Sequence, residues 1–265
     1  MRWCGIGNRA VNHSFAERIV RWQRVHGRHA LPWQRTREPY PIWISEIMLQ
    51  QTQVGTVVPY FERFLARFPV LGVLADAAPD DVLRHWSGLG YYARARHLHA
   101  AAKHVVHDLD GHFPRSSQDI ATLPGVGRST AAAIAVFAFG ERAAILDGNV
   151  KRVLARAFGV EGWPGSPRVE TQLWALAESL LPRPDDIVPY TQGLMDLGSL
   201  VCTRTSPMCD RCPWEIHVGE QSMAARDESL RWWPLSALSD AGVPAPVRRI
   251  LSQLTVEGML PFTRD

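Results

Sequence analysis

The sequence is poor in the features that mark several large protein classes. It holds only 4 cysteines in 265 residues, too few for a disulfide scaffold of this length. No stretch reaches the roughly 18 unbroken apolar residues of a membrane span, and the N-terminal residues lack the apolar core of a secretory signal. The expected setting is therefore cytoplasmic, in a bacterial cell near the nucleoid, with no membrane contact. Strand-like alternation is missing before residue 229, and no internal repeat is present, so sheet-based and solenoid architectures are excluded for most of the chain. Charge of one sign is scarce too: 29 Lys+Arg against 26 Asp+Glu leave +3, which neither demands nor excludes nucleic acid. What the chain does have is 46% hydrophobic and 21% charged residues, enough to bury a core. Disorder and fibrous repeats are excluded.

The apolar period is helical. Ser14 and Glu17 form a capping-box pattern, and Phe15, Ile19 and Trp22 share one face until Gly27, so a helix is expected over 14–26. Pro32, Pro39 and Pro41 suggest an extended connection, followed by helices over 43–54 and 57–68. Pro79 with Asp80 and Asp81 reads as another helix start. Further helices are expected over 97–108, 116–123, 129–139, 150–158, 169–181 and 191–202. After a polar stretch from 216 to 229, one short amphipathic helix is expected near 245–254.

Between two helical patterns lies the segment Leu123 to Thr130, with Gly125 and Gly127 separated by one apolar residue. Two such glycines permit a tight turn and leave backbone N–H groups bare at the next helix start, which suits a phosphate. An ordinary helix–helix turn with C-cap glycines accounts for this segment equally well. The surrounding cations Arg128, Lys151 and Arg152, with Arg94 and Arg96 after Tyr91 and Tyr92, favour a nucleic-acid backbone.

Five segments resemble the helix-hairpin-helix DNA glycosylases, and within them the adenine DNA glycosylases of the MutY type. They are Leu31 to Trp33, Trp43 to Val54, Gly88 to Arg96, the hairpin, and Leu146 to Val153, and they run in the family's order. The resemblance implies an all-α, two-lobed helix-hairpin-helix fold over residues 1–214, with a six-helix lobe at about 35–145. The second lobe would combine the N-terminal helix with 146–214, and DNA would lie between the two. Residues 215–265, with Trp232-Trp233-Pro234 and the segment from Gly242 to Leu251, resemble the closing piece of the family's Nudix-like recognition domain, as though its middle were deleted.

Breaking an N-glycosidic bond needs a proton for the departing base and negative charge near the sugar, a task for two carboxyls in unlike environments. By resemblance these are Glu46, which protonates adenine, and Asp147, which stabilises the sugar cation, with Asn149 hydrogen bonding in support. Without the resemblance, Glu46 reads as a surface helical residue and Asp147 as a helix N-cap. Arg28 and Trp33 are implied as pocket residues, Gln50 and Gln51 as the wedge beside the flipped nucleotide, Tyr91 as the contact to the opposing strand, and Gly125, Gly127, Ser129 and Lys151 as further DNA contacts. Relatives that also cleave the strand carry a lysine where this sequence has Ser129, so a monofunctional glycosylase with at most weak lyase activity from Lys151 is expected. Double-stranded DNA carrying adenine opposite 8-oxoguanine or guanine is the implied partner, met by a monomer.

Cys202, Cys209 and Cys212 follow the spacing of the family's [4Fe-4S] loop, but Val218 stands where the fourth thiolate belongs. His217 is the alternative ligand and would make a Cys3His zinc site; Cys4 is distant in sequence. A DNA-binding remnant without catalysis, and an endonuclease III-like pyrimidine glycosylase/lyase, stand as the alternative functions.

Overall fold

The structure, a computed structural model, describes residues 8–214, with side chains from residue 15 onward. Among them every regular element is a helix, as expected of an all-α chain. Cys4, His217, Val218 and the segment 215–265, with its expected helix at 245–254, lie outside the described residues.

The prolines at 32, 39 and 41 start helices rather than holding an extended connection. Pro32 opens a 3-10 turn, Pro32–Arg35, and Pro39 opens α2, Pro39–Leu49. Proline gives up only an N–H that a first helical turn leaves unpaired in any case, and its fixed φ suits that turn. The helix expected over 43–54 therefore ends five residues early, and a tight turn at 50–52 precedes α3, Val54–Arg67. The first helix, α1, spans Asn8–His26, which places Ser14 inside it rather than at its cap. Val11, four residues before Phe15, continues the apolar spacing upstream in sequence.

The chain continues through α4 (Leu71–Ala75), α5 (Pro79–Trp86), α6 (Ala93–His107), α7 (Ser117–Ile120) and α8 (Arg128–Phe139). The last three helices are α9 (Gly148–Ala157), α10 (Pro167–Ser179) and α11 (Ile187–Leu200). Two hydrophobic cores form. One gathers Trp43, Ile44, Met48, Phe64, Trp86 and Leu98 from α2, α3, α5 and α6; the other gathers Phe15, Ile19, Leu154, Leu173, Tyr190 and Leu194 from α1, α9, α10 and α11.

Helix α8 belongs to both cores. Its Ala131, Ile134 and Ala135 pack into the first, while Ala132, Ala133 and Val136 pack into the second. A helix that is small and apolar on every side is a buried helix, and alanines let neighbours approach it closely. Both cores therefore abut the helix that follows the hairpin, which fixes the hairpin relative to each.

Candidate functional site

A pocket of about 260 Å³ opens beside α2, lined among others by Gln23, Arg28, Trp33, Glu46, Phe137 and Gln192. Trp33 is buried against Phe61, edge to face at 5.3 Å, and forms part of the first core as well as the pocket wall. Glu46 sits on α2 between buried neighbours, Ser45 and Ile47, and lines the pocket. The protein packed around that carboxyl removes water that would solvate its charge, and Asp147 adds a like charge, so its pKa is pushed up to about 8.

Asp147 occupies the N-cap of α9, where its Oδ1 accepts the Val150 N–H at 2.8 Å. Asp147 is also raised by burial, but hydrogen bonds from Val150 and Asn149 and the charge of Arg152 pull against that shift. Asn149 Nδ2 donates to Asp147 Oδ2 at 3.4 Å, and Arg152 Nη2 donates to Asn149 Oδ1 at 2.7 Å and to the Gly198 carbonyl at 2.6 Å. Gly198 makes this approach feasible, since a Cβ there would lie 2.6 Å from Asn149 Cβ. Burial raises both carboxyls, but their support differs: among the described residues no hydrogen bond reaches Glu46, whereas Asp147 accepts from Val150 and Asn149.

The hairpin places Gly125 at φ +78°, packed so closely on His97 that a Cβ would lie 2.5 Å from the His97 Cβ. Gly127 caps α8, and the first backbone bond into that helix runs from the Ala131 N–H to the Gly127 carbonyl. The amides of residues 128–130 thus point out of the helix start without intrahelical acceptors. The Ser129 hydroxyl accepts the Leu146 N–H at 2.9 Å, tying the hairpin to the segment that leads into Asp147.

Several cations read from sequence as free for a phosphate backbone are engaged inside the protein. Arg94 donates to the carbonyls of Ile47, Met48 and Gln50 at 2.5–2.9 Å and to those of Leu89 and Gly90 at 3.3 Å. These carbonyls include the unpaired acceptors at the C-terminus of α2, which a five-donor guanidinium satisfies from one position. Arg128 pairs with Glu178 and lies over the Trp174 ring, and Lys151 pairs with Glu170 at 2.9 Å. Arg96 stays exposed. Arg94 had no sequence signal for this work beyond following two tyrosines.

By fixing the 50–52 turn against the 88–90 loop, Arg94 also sets the bases of two exposed projections. Gln51 has φ +58° and Tyr91 φ +49°, left-handed conformations that side-chain-bearing residues adopt at some cost, and Tyr91 is 63% exposed. The Arg94 guanidinium lies 5.6 Å from the Tyr91 ring centroid. Gln50 turns inward instead, its Nε2 donating to Thr130 Oγ1 at 3.3 Å.

Arg28 enters the pocket held by a partner that sequence reading missed. Its backbone N–H and Nε donate to Asp196 Oδ2 and Oδ1 at 2.8 and 2.7 Å, and its Nη2 donates to Ser199 Oγ. Gln23 and Gln192 also line the pocket and were not anticipated; a glutamine on a mostly apolar helix gives no period by which to single it out.

Among the described residues the cysteine loop after α11 brings together three thiols. Cys202 and Cys212 are half-buried and Cys209 is exposed, and burial followed by the neighbouring thiols holds the Cys212 thiol above its ordinary range. A [4Fe-4S] cluster takes four thiolates, whereas the loop supplies three, and no metal-holding group of His, Cys, Asp or Glu forms among the described residues. Among the described residues the donors are one short of either that cluster or a four-coordinate zinc site. Protein contacts hold the loop: Arg152 Nε donates to the Cys202 carbonyl at 2.7 Å, Arg156 to the Cys202 sulfur and the Thr203 carbonyl, and Trp214 stacks on Phe158 while its Nε1 donates to Ala157.

The profile of the family described as HhH-GPD superfamily base excision DNA repair protein matches residues 44–179. The chain is 42% identical over 199 residues to the adenine DNA glycosylase of Buchnera aphidicola subsp. Schizaphis graminum, covering 75% of this chain and 57% of that protein. It is 40% identical over 244 residues to the adenine DNA glycosylase of Homo sapiens, covering 88% of this chain and 44% of that one. The chain thus spans about half the length of the curated relatives it matches. Among solved structures, a thermostable thymine-DNA glycosylase superposes with a TM-score of 0.69 at 32% identity, covering 76% of this chain and 92% of that one. An endonuclease III–DNA complex superposes at 0.65 with 20% identity over 79% of this chain and 94% of that one, a likeness of fold.

Proposed function

The chain belongs to the HhH-GPD superfamily of base excision DNA repair proteins, and from that premise we propose that it is a monofunctional adenine DNA glycosylase. Its substrate is adenine mispaired with 8-oxoguanine or guanine in double-stranded DNA. The observation that carries this reading is a pair of half-buried carboxyls in unlike surroundings, Glu46 on the pocket wall with its pKa pushed up to about 8 and Asp147 hydrogen-bonded at the start of α9.

In this reading the duplex lies between the lobe of about 35–145 and the lobe built from α1 and 146–214. The exposed amides at the hairpin and the projections at Gln51 and Tyr91 meet its backbone and bases. The adenine leaves the stack and enters the pocket beside Trp33. Glu46, protonated at neutral pH because its pKa is near 8, gives its proton to the departing base, so that the base leaves neutral. Charge develops on the sugar as the bond lengthens. Asp147 meets that charge; burial raises its pKa, while hydrogen bonds from Val150 and Asn149 and the charge of Arg152 favour its ionised form against that rise.

A monofunctional reaction is supported by the absence of a free amine at the hairpin. Ser129 stands at the lysine position and its hydroxyl is occupied by a backbone N–H, and the Lys151 amine is paired with Glu170. No step depends on a metal. The test is single-turnover release of adenine from a duplex placing it opposite 8-oxoguanine, with Glu46→Gln as the control. No release by the unmutated protein overturns the enzyme reading, strand nicking without alkali overturns the monofunctional one, and release of thymine opposite guanine instead of adenine points to the activity named for the thymine-DNA glycosylase it resembles.

A further inference from the structure

Among the described residues Asp196 is the one acidic residue in the buried polar set, with none of its surface exposed, and nothing in the mechanism above uses it. It lies on α11 behind the pocket. Its Oδ1 accepts from Arg28 Nε at 2.7 Å and from Gln192 Nε2 at 2.9 Å, and its Oδ2 accepts the Arg28 backbone N–H at 2.8 Å. Both donors line the pocket, whereas Asp196 does not.

We propose that Asp196 is a positioning residue that sets the hydrogen-bonding polarity of the pocket by locking the Gln192 amide; the proposal rests on the glycosylase reading. A carboxylate paired with a guanidinium only accepts hydrogen bonds, so Gln192 must turn its NH2 toward Asp196. That leaves its carbonyl oxygen, Oε1, as the end available to the pocket, and among the described residues nothing donates to it. A pocket presenting an acceptor at this point favours a base that carries an exocyclic amine and disfavours one that carries a carbonyl there. With the amide free to rotate through half a turn, NH2 and oxygen exchange places and the preference is lost. A site of this kind discriminates through the polar group left unpaired by the wrong base.

The test compares single-turnover release from duplexes carrying adenine or purine, which lacks the exocyclic amine, opposite 8-oxoguanine. The change in the adenine-to-purine rate ratio between variants cancels the intrinsic leaving ability of each base. Asp196→Ser, too short to reach Gln192, and Gln192→Met, with the lock intact but no amide, should each lower the ratio about 10-fold, the size of one neutral hydrogen bond. Asp196→Asn keeps an oxygen where Arg28 Nε and Gln192 Nε2 converge, and should hold the ratio within about 2-fold by the same reckoning. Thermal melts accompany each variant. If Asp196→Ser does not fold, the remaining pair decides: the ratio must fall in Gln192→Met and hold in Asp196→Asn, and failure of either overturns the proposal. A wild-type ratio in a folded Asp196→Ser protein overturns it while leaving the glycosylase reading intact. No release of either base by the unmutated protein overturns both.

Discussion

The pocket region and the cysteine loop are held by different means. Around the pocket, Glu46, Trp33 and the hairpin are anchored by elements belonging to two hydrophobic cores that meet at α8, so each position is fixed many times over. The cysteine loop touches one core only, its Cys202, Met208, Cys212 and Trp214 packing half-buried against the second. It keeps three thiols of a four-ligand pattern among the described residues and is further secured by Arg152 and Arg156 of α9, by Arg18 of α1 and by the Trp214 ring. The difference teaches that a loop whose described residues supply three thiols is tied down by carbonyl-capping arginines that project from a helix that is itself well packed. Helix α9 is such a helix, with Val150, Val153 and Leu154 buried.

The largest effect is expected where the pocket depends on a single proton. Glu46→Gln should slow adenine release about 10³-fold, within the range for loss of a general acid. In the unmutated protein the rate should fall as pH rises through about 8, because Glu46 must be protonated to act. The sign for stability runs the same way: a carboxyl whose folded pKa is raised binds its proton more tightly when folded, so its contribution is lost as pH rises toward 8. Removing that carboxyl should therefore raise the melting midpoint at pH 8.5 by about 2–4 °C, the shift that about 1 kcal/mol gives a chain of this size. A pH-independent rate between 6 and 9 would separate Glu46 from the chemistry.

Next comes Arg94, which joins the pocket helix to the two exposed projections. Arg94→Met leaves several buried carbonyls without donors and should cost about 3 kcal/mol in denaturant unfolding. It should also weaken binding to any DNA duplex, since Gln51 and Tyr91 lose their common base. Full stability in this variant would show that water satisfies those carbonyls.

A smaller loss is expected in the cysteine loop. Trp214→Ala removes the ring stacked on Phe158 and the hydrogen bond to Ala157, and should cost about 2 kcal/mol, less than a fully buried tryptophan because Trp214 is half-buried. Limited proteolysis should then cut within 203–211 before any other site among residues 15–214. Smallest of all, Cys209→Ser and treatment with a metal chelator should each change stability by less than about 0.5 kcal/mol, as for an exposed substitution. Stoichiometric iron or zinc in the purified protein, with a melting midpoint that drops on chelation, would break the contrast between the two regions.

The all-helical character was legible because burial on one helical face leaves a three- and four-residue period that survives in the linear order. Helix limits were less so. The prolines at 39 and 41 looked like a break and proved to be a start, since the same residue serves both purposes and only the packing of Trp43 and Ile44 beyond it decides between them. Candidate residues Glu46, Arg28 and Trp33 could be named from motifs, and the structure brings them into one pocket. Gln192 and Asp196 could not. Asp196 meets Arg28 across 168 residues of sequence, and nothing local marks an aspartate in a helix as the partner of a distant guanidinium.

Charge shows the limit most plainly. The sequence by itself determined the helical content, the hairpin glycines, the serine at the lysine position and the count of thiols, because each is a property of residue type and local spacing. Only the tertiary structure decided which cations remain free. Arg94, Arg128, Lys151 and Arg152 read alike in one dimension, yet folding assigns them to carbonyls, a ring and carboxylates. The same holds for proton affinity: Glu46 and Asp147 are ordinary acids in the sequence. Burial raises both, but at Asp147 the hydrogen bonds of a helix cap and the charge of Arg152 pull against that rise, whereas the like charge of Asp147 adds to it at Glu46.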